Sequence, residues 1–309
     1  MAPITQQDVV VDPALSQVSI KYSNDTFIAD MIFPVLMVGK QTGKYYVYDK
    51  SNLRVDKTLR AAGSAANEVD FGVGPTGVFS CDDHALKGFV ADEVQDQADA
   101  ALNPLIDETE TVTEKLLLDR ELALSTLISN TANITQSVTL SLTSQWSDYS
   151  NSDPIADVRT ARTTVHQNTF RKPNTMIMGK QVFDMLAEHP QIIERVKYSQ
   201  LGVLTAELLA RVFQVEKILV GEAGSNTAME GQTDSMSYVW GKNCWLAYIA
   251  PKVSIKQVTF GYTFTYSMRQ VKRWRDEDRE GAYVRVGNDN YVQKIVATQA
   301  AYLIKSAIA

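Results

Sequence analysis

The segment from Gly39 to Ser80 constrains the fold more than any other. It holds six of the chain's 16 glycines, and Leu53 and Leu59 are its only Leu, Ile or Met residues. Its strand-like pieces, KYYVYDK and NLRVDKTLR, carry Lys, Arg or Asp at most alternate positions. This pattern predicts a long twisted hairpin with too little apolar surface for a core of its own. Ordering such a segment costs roughly 1–2 kcal/mol of backbone entropy per residue. Tyr45, Tyr46, Val47, Tyr48, Val55, Val69 and Phe71 give it strand character, which would leave unpaired edges in an isolated subunit. The expected resolution is a hairpin laid across a second copy of the chain.

The rest of the chain is ordinary enough to supply a folded body for that hairpin. It has 309 residues, of which 45% are hydrophobic and 21% charged, enough to form a core without metal or disulfide staples. Cys81 and Cys244 lie far apart and form no CxxC pair, which excludes a disulfide framework or zinc ribbon. The first residues, MAPITQQDVVVDPAL, lack the pattern of a targeting segment. The longest apolar run, Met31 to Val38, contains Pro34 and falls well short of a membrane span. The expectation is a soluble, intracellular chain without a membrane partner.

Charge is unevenly placed. Residues 91–122 contain Asp92, Glu93, Asp96, Asp99, Asp107, Glu108, Glu110, Glu114, Asp119 and Glu121 against only Lys115 and Arg120. The converse cluster is RQVKRWRDEDR at 269–279. A pI near 5.2 argues against a dedicated nucleic-acid reader. Each cluster is either a solvated face or a surface where copies of the chain meet. On the second alternative, candidate contacts between subunits are Lys44, Lys50, Arg54, Lys57 and Arg60 in the hairpin with Glu108 and Glu110 in the acidic segment.

Along the chain, residues 1–23 contain two prolines and no periodicity, and read as an extended arm. Asn24 and Asp25 suit the cap of a short helix, TFIADMIF, ended by Pro34. A strand is expected over Val78–Val90. A long helix follows Asn103-Pro104 to about Ser129, with acids through its first half. Residues 130–153 read as loop or small hairpin, and a helix opens at Asp153-Pro154. TMIMG and KILVG are short buried strands flanking three short helices. Residues 221–237 read as a flexible loop, and the sequence from Tyr238 onward is β-rich. The class is α+β.

Three motifs invite an enzymatic reading, and each lacks its context. GVGPTG at 72–77 has the glycine spacing of a dinucleotide loop, but strand-like sequence follows where a helix must open. GKQTGKY at 39–45 is one residue short of a phosphate loop and has Tyr45 where Ser or Thr is required. CDDH at 81–84 alternates faces on a strand, so its side chains cannot converge on one ion. No nucleophile–base arrangement is evident, and Trp240, Trp245 and Tyr248 read as core. No catalytic, cofactor or metal site is expected.

The order of these pieces resembles the major capsid proteins of tailed bacteriophages, the Hong Kong 97-like fold. The resemblance covers nearly the whole chain. Its most family-like stretches are VDKTLRAAGSAANEVDFGVG, DETETVTEKLLLDRELALSTL and RKPNTMIMGKQVFDMLAEHPQIIERVKYSQLGVLTAELLARVFQVEKILVGEA. It implies an N-terminal arm at 1–38 and an extended loop with its return strand at 39–90. The spine helix and first part of a peripheral domain occupy 91–180, an axial domain 181–254, and the C-terminal part of the peripheral domain 255–309. The 221–237 loop would lie near the capsomer centre. It further implies a subunit that assembles into hexamers and pentamers around double-stranded DNA without sequence-specific binding. Such a protein works with a separate scaffolding protein, a portal and in some cases a decoration protein, and is made in the bacterial cytoplasm. Some relatives crosslink a loop lysine to a neighbour's asparagine; the resemblance makes Lys40, Lys44, Lys50 and Lys57 the available lysines and Asn288 or Asn290 the partners, with nothing marking them as reactive. An encapsulin-like nanocompartment shell is the alternative with the same fold; it would bind a cargo tail near an N-terminal helix, which an extended arm does not offer.

Overall fold

A computed structural model of the chain describes residues 10–22, 24, 26–46, 55, 58–68, 76–98, 103–197, 205–229, 231–254 and 258–309. In chain order, β1 (Val10–Val11), α1 (Pro13–Lys21), α2 (Ala29–Ile32) and β2 (Val35–Met37) lead into the hairpin stem, β3 (Thr42–Tyr46) and β4 (Thr76–Ser80). Then come β5 (Asp82–Ala91), α3 (Asp92–Gln97) and the 26-residue α4 (Pro104–Ser129). A middle unit contains β6 (Ser137–Thr139), α5 (Pro154–Thr169), β7 (Thr175–Gly179), α6 (Lys180–Ala187), α7 (Pro190–Val196), α8 (Ala206–Phe213) and β8 (Lys217–Gly221). The rest comprises β9 (Gly224–Asn226), β10 (Met236–Tyr238), β11 (Cys244–Ala247), β12 (Gly261–Ser267), β13 (Gln270–Asp276), β14 (Gly281–Ile295) and β15 (Ala301–Lys305).

Two sheets organise these elements. The first is built on the 15-residue β14. Along one of its edges β13 pairs with residues 281–287 and then β12 with 290–295, while β5 pairs along the other. The register slips between Val286 and Asp289, where Asn288 adopts φ 60°. This is a bulge that reverses which side chains face inward. The second sheet runs β6-β15-β11-β7-β8. Residues 255–309 therefore divide, with 261–295 in the first sheet and 301–305 in the second.

Helix α4 lies across the inner face of the first sheet. Leu105, Val112 and Leu116 pack there with Leu15 of α1 and with Val90, Val271, Ala282, Val284 and Val286. Its C-terminal part enters a second cluster with Ile32, Phe33, Trp240, Trp245 and Phe260, which joins the two sheets. A third cluster covers the second sheet with α5, α6 and α8.

The arm is not wholly extended. Asp12 caps α1, its carboxylate accepting from the amides of Ala14 (2.9 Å) and Leu15 (3.1 Å), and Pro13 occupies the first helical turn. A proline in that position starts a helix rather than breaking one. Two other boundaries move: α2 is four residues long, and Asn24 caps the turn before it, at Thr26. The loop at 221–237 contains a hairpin, with β9 pairing β10. The Asn226 carboxamide oxygen accepts from the amides of Ala228 and Ser235, and its nitrogen donates to Asp234. One side chain thus supplies partners that a flexible loop would leave to water.

Candidate functional site

The stem of the long hairpin is assembled from two reciprocal pairs. Gly43 stands opposite Phe79, and Gly77 opposite Tyr45. A Cβ on Gly43 would come 2.7 Å from the Phe79 ring, and one on Gly77 would strike the ring of Tyr45. Each glycine thus makes room for the aromatic residue of the opposite strand, which lies flat across the ladder. The two rings continue onto the outer face of the first sheet. Phe79 stacks on Phe264 at 4.6 Å and 3°, Tyr45 meets the same ring at 5.4 Å, and Cys81, Tyr262 and Val296 complete the patch. Gly43 and Gly77 belong to the two glycine motifs that suggested nucleotide loops, and both serve the packing of this stem. Gly72 and Gly74 lie outside the described residues.

Beyond the stem, Val55 is 98% and Leu59 91% exposed. Lys44 and Arg60 are exposed as well, Arg60 donating to the carbonyl of Ser64 at 3.0 Å. Lys50, Arg54 and Lys57 lie outside the described residues. The Asn290 amide donates to Ser267 Oγ at 2.7 Å.

The acidic helix is more than a solvated face. Glu108 lies across Gly88 of β5 and lines a cleft of about 550 Å³ with Phe89, Val94 and Pro104. Glu110 is half-buried. Glu114 accepts from the Asn24 amide at 3.2 Å, and Arg120 reaches Asp30 at 2.6 Å. Part of the charge complementarity seen in the sequence closes within one subunit: Arg275 of the basic cluster pairs with both oxygens of Asp92. The stem and acidic helix occupy opposite faces of the first sheet, so Lys44 and Arg60 are not brought onto Glu108 and Glu110 of the same chain.

Glu121, counted among the solvated acids by sequence, is fully buried. Its carboxylate accepts from the amides of Ile28 (2.9 Å) and Ala29 (2.8 Å) and from Trp240 Nε1 (2.7 Å). Burial pushes its pKa above the usual carboxylate range; the three donors oppose the shift, and nearby Asp30 adds to it. The sequence does carry a signal for its place, because residues 117, 121, 124 and 128 share one helical phase and hold Leu, Glu, Leu and Ile.

The CDDH residues do not converge. Cys81 is buried between β4 and β5, and His84 stacks on Tyr291 at 4.3 Å. Among the described residues no group of three or more His, Cys, Asp or Glu is placed to hold a metal, and no helix is long and apolar enough to cross a membrane.

Residues 129–252 match the phage major capsid protein E family. The chain is 32% identical to the major capsid protein of Burkholderia phage BcepMu, over 96% of each. It is 32% identical to that of Pseudomonas phage JBD67, over 97% of each. Among solved structures it resembles a phage-related protein from Bordetella bronchiseptica RB50 with a TM-score of 0.77 and 29% identity, covering 96% of this chain and 97% of the other. A virus-like particle from Pyrococcus furiosus shares the fold at TM-score 0.59 and 12% identity, covering 94% and 96%.

Proposed function

Because this chain belongs to the phage major capsid protein family, we propose that it joins copies of itself in hexamers and pentamers to close an icosahedral head around double-stranded DNA. It is a structural protein of the virion with the Hong Kong 97-like fold. The observation that carries the proposed assembly is the hairpin. Its stem is fixed to the sheet by two rings, Tyr45 and Phe79, each seated over a glycine of the opposite strand, whereas Val55 and Leu59 beyond it project almost completely exposed. A rigid root with an apolar, basic continuation is suited to lie on a neighbouring subunit, where Lys44, Lys50, Arg54, Lys57 and Arg60 meet acids such as Glu108 and Glu110.

In this reading 1–38 is the arm, 39–90 the extended loop and α4 the spine. The peripheral domain is centred on the first sheet and the axial domain on the second, with the β9–β10 hairpin toward the capsomer axis. The protein works without catalysis or cofactor, beside a scaffolding protein and portal, and assembles in the host cytoplasm. The α1 helix removes the extended-arm argument against an encapsulin; the near-full-length likeness to two phage capsid proteins favours the phage head instead.

Electron microscopy and size-exclusion chromatography of the purified chain test the proposal. Closed shells tens of nanometres across, containing DNA when isolated from phage, are the expected result. A chain that stays monomeric under every assembly condition, or shells that hold only protein cargo, would overturn it.

A further inference from the structure

Among the described residues, the outer face of the first sheet is covered by the hairpin stem at the β12 end and by nothing at the other. On the bare part, strand registry aligns side chains across β13, β14 and β5. Trp274 stands beside Tyr283, and Tyr283 beside Phe89. One step along, Lys272 stands beside Arg285, and Arg285 beside Lys87. All six point away from the helices, because the alternating neighbours Val271, Val284 and Val90 point into the core beneath α1 and α4.

The aromatic row is continuous, with ring centroids 5.2 Å apart for Trp274 and Tyr283 and 4.9 Å for Tyr283 and Phe89. Cations lie over it: Lys87 Nζ is 4.6 Å from the Tyr283 centroid, and the Arg279 guanidinium 4.6 Å from that of Phe89. Among the described residues Lys87, Lys272 and Arg279 form no ion pair. Arg285 reaches only Asp83, at 3.8 Å.

We propose that this paired row of rings and cations is a docking surface for an acidic helix of a partner protein. The spacing supports it. Neighbouring strands lie about 4.8 Å apart, and helix positions i and i+4 are about 5–6 Å apart. Glutamates one turn apart, on a helix laid across the strands, meet successive cations while an apolar residue rests on Trp274 and Tyr283. The rings hold the cations in place, so less side-chain freedom is lost on binding.

A second copy of this chain is a poorer occupant. Its acidic helix α4 packs on the opposite face of the same sheet, so pairing the two faces is a head-to-tail contact that either closes into a ring or runs on as an open array, and it would use the same Glu108 and Glu110 proposed to meet a neighbour's hairpin. Nucleic acid is also disfavoured. The turn that ends the aromatic row carries Asp276, Glu277, Asp278 and Glu280, which an extended phosphate chain crossing the sheet would meet. A helix centred on the Lys272–Arg285–Lys87 row is kept from that turn by the aromatic row between them.

The test uses the full chain and a fluorescein-labelled helical peptide of about 20 residues, with glutamate at every fourth position and alanine and leucine between. Fluorescence anisotropy should show binding that weakens with salt. The Lys87→Glu/Lys272→Glu double variant should lose at least about tenfold in affinity, and Lys217→Glu, exposed on the second sheet, should lose nothing. The milder Lys87→Gln/Lys272→Gln variant, checked for folding by circular dichroism, should lose affinity in the same direction. Equal binding by wild type and both variants, no binding at low salt, or tighter binding of a DNA duplex of similar charge would each overturn the proposal. None of these outcomes depends on shell formation, so failure here and failure of the capsid reading are separable.

Discussion

Glu121 accepts a hydrogen bond from the indole of Trp240 at 2.7 Å, although 119 residues of chain separate them. The same carboxylate receives the amides that open α2, so one buried group ties the arm, the long helix and the junction of the two sheets. Glutamine offers a single acceptor oxygen and must turn an NH₂ toward a donor. Glu121→Gln is expected to destabilise the free subunit by about 1–3 kcal/mol. Trp240→Phe removes one donor and, because the indole is fully buried, also leaves a cavity where its second ring packed, so it should cost at least as much. Urea unfolding of the two variants against wild type checks the order; equal midpoints for Glu121→Gln and wild type would refute the tie.

The raised pKa of Glu121 has a sign. Burial is the largest cause, and it makes the folded state hold the proton more tightly than the unfolded chain. Between the ordinary carboxylate pKa and the raised value, folding takes up a proton, so the contribution of this group to stability falls as pH rises. Asp289 shifts the same way, by burial opposed by Arg120 and Arg269. Wild type should therefore lose part of its stability advantage over Glu121→Gln as pH rises above the ordinary carboxylate range. An advantage that is constant or grows with pH would contradict this.

The stem makes a sharper demand on Gly77 than on most glycines of the chain. An alanine there drives its methyl into the Tyr45 ring, which is itself packed against Phe264. Gly77→Ala should cost about 1–3 kcal/mol through forced repacking and should reduce shell yield. Tyr45→Leu in the Gly77→Ala background should recover part of both, because the blocking ring is gone. Thermal unfolding and particle counts read the two effects, and an additive double variant would exclude the steric account.

Helices α4 and α5 and strands β7 and β8 were legible in the sequence because their signals are local: a capping position followed by proline, then apolar periodicity, or a short wholly apolar run. α1 is hidden by the same chemistry in the other direction: Pro13 marks the first turn of a helix only in company with the cap that Asp12 supplies. Glu121 was masked by acidic neighbours, although its helical phase with Leu124 and Ile128 marked it as inward. The rows on β13, β14 and β5 were invisible for a different reason. Which residues share a row depends on the register of strands about 190 residues apart in the chain, and on a bulge at Asn288 that no local pattern announces.

Glu108 lines a cleft rather than facing bulk solvent, and Glu110, half-buried, lies in the same half of α4. Glu108→Lys with Glu110→Lys reverses the charge offered there to a neighbour's basic hairpin. The double variant is expected to yield folded subunits, with circular dichroism like wild type, that form few or no shells. Restoration of shells by Lys44→Glu with Arg60→Glu would identify the hairpin as the partner. Wild-type particle yield from the first double variant would remove these two residues from the contact.

The hairpin should behave differently in the free subunit and in the assembled shell. Its described tip residues leave Val55 and Leu59 exposed in the isolated subunit, and the segment carries cleavable bonds after Lys50, Arg54, Lys57 and Arg60. If these side chains gain partners only when copies meet, trypsin should cut the free subunit there early, before bonds in α4 or the second sheet. The same bonds should resist in assembled shells, because cleavage requires the chain to open locally and adapt to the protease. The stem should remain attached in both cases, since Tyr45 and Phe79 stay packed on Phe264. N-terminal sequencing of the early fragments locates the cuts, and their rate in the two states decides the matter. Equal rates would mean that the neighbouring subunit does not cover the hairpin, and the basic side chains would then have to find their acids elsewhere.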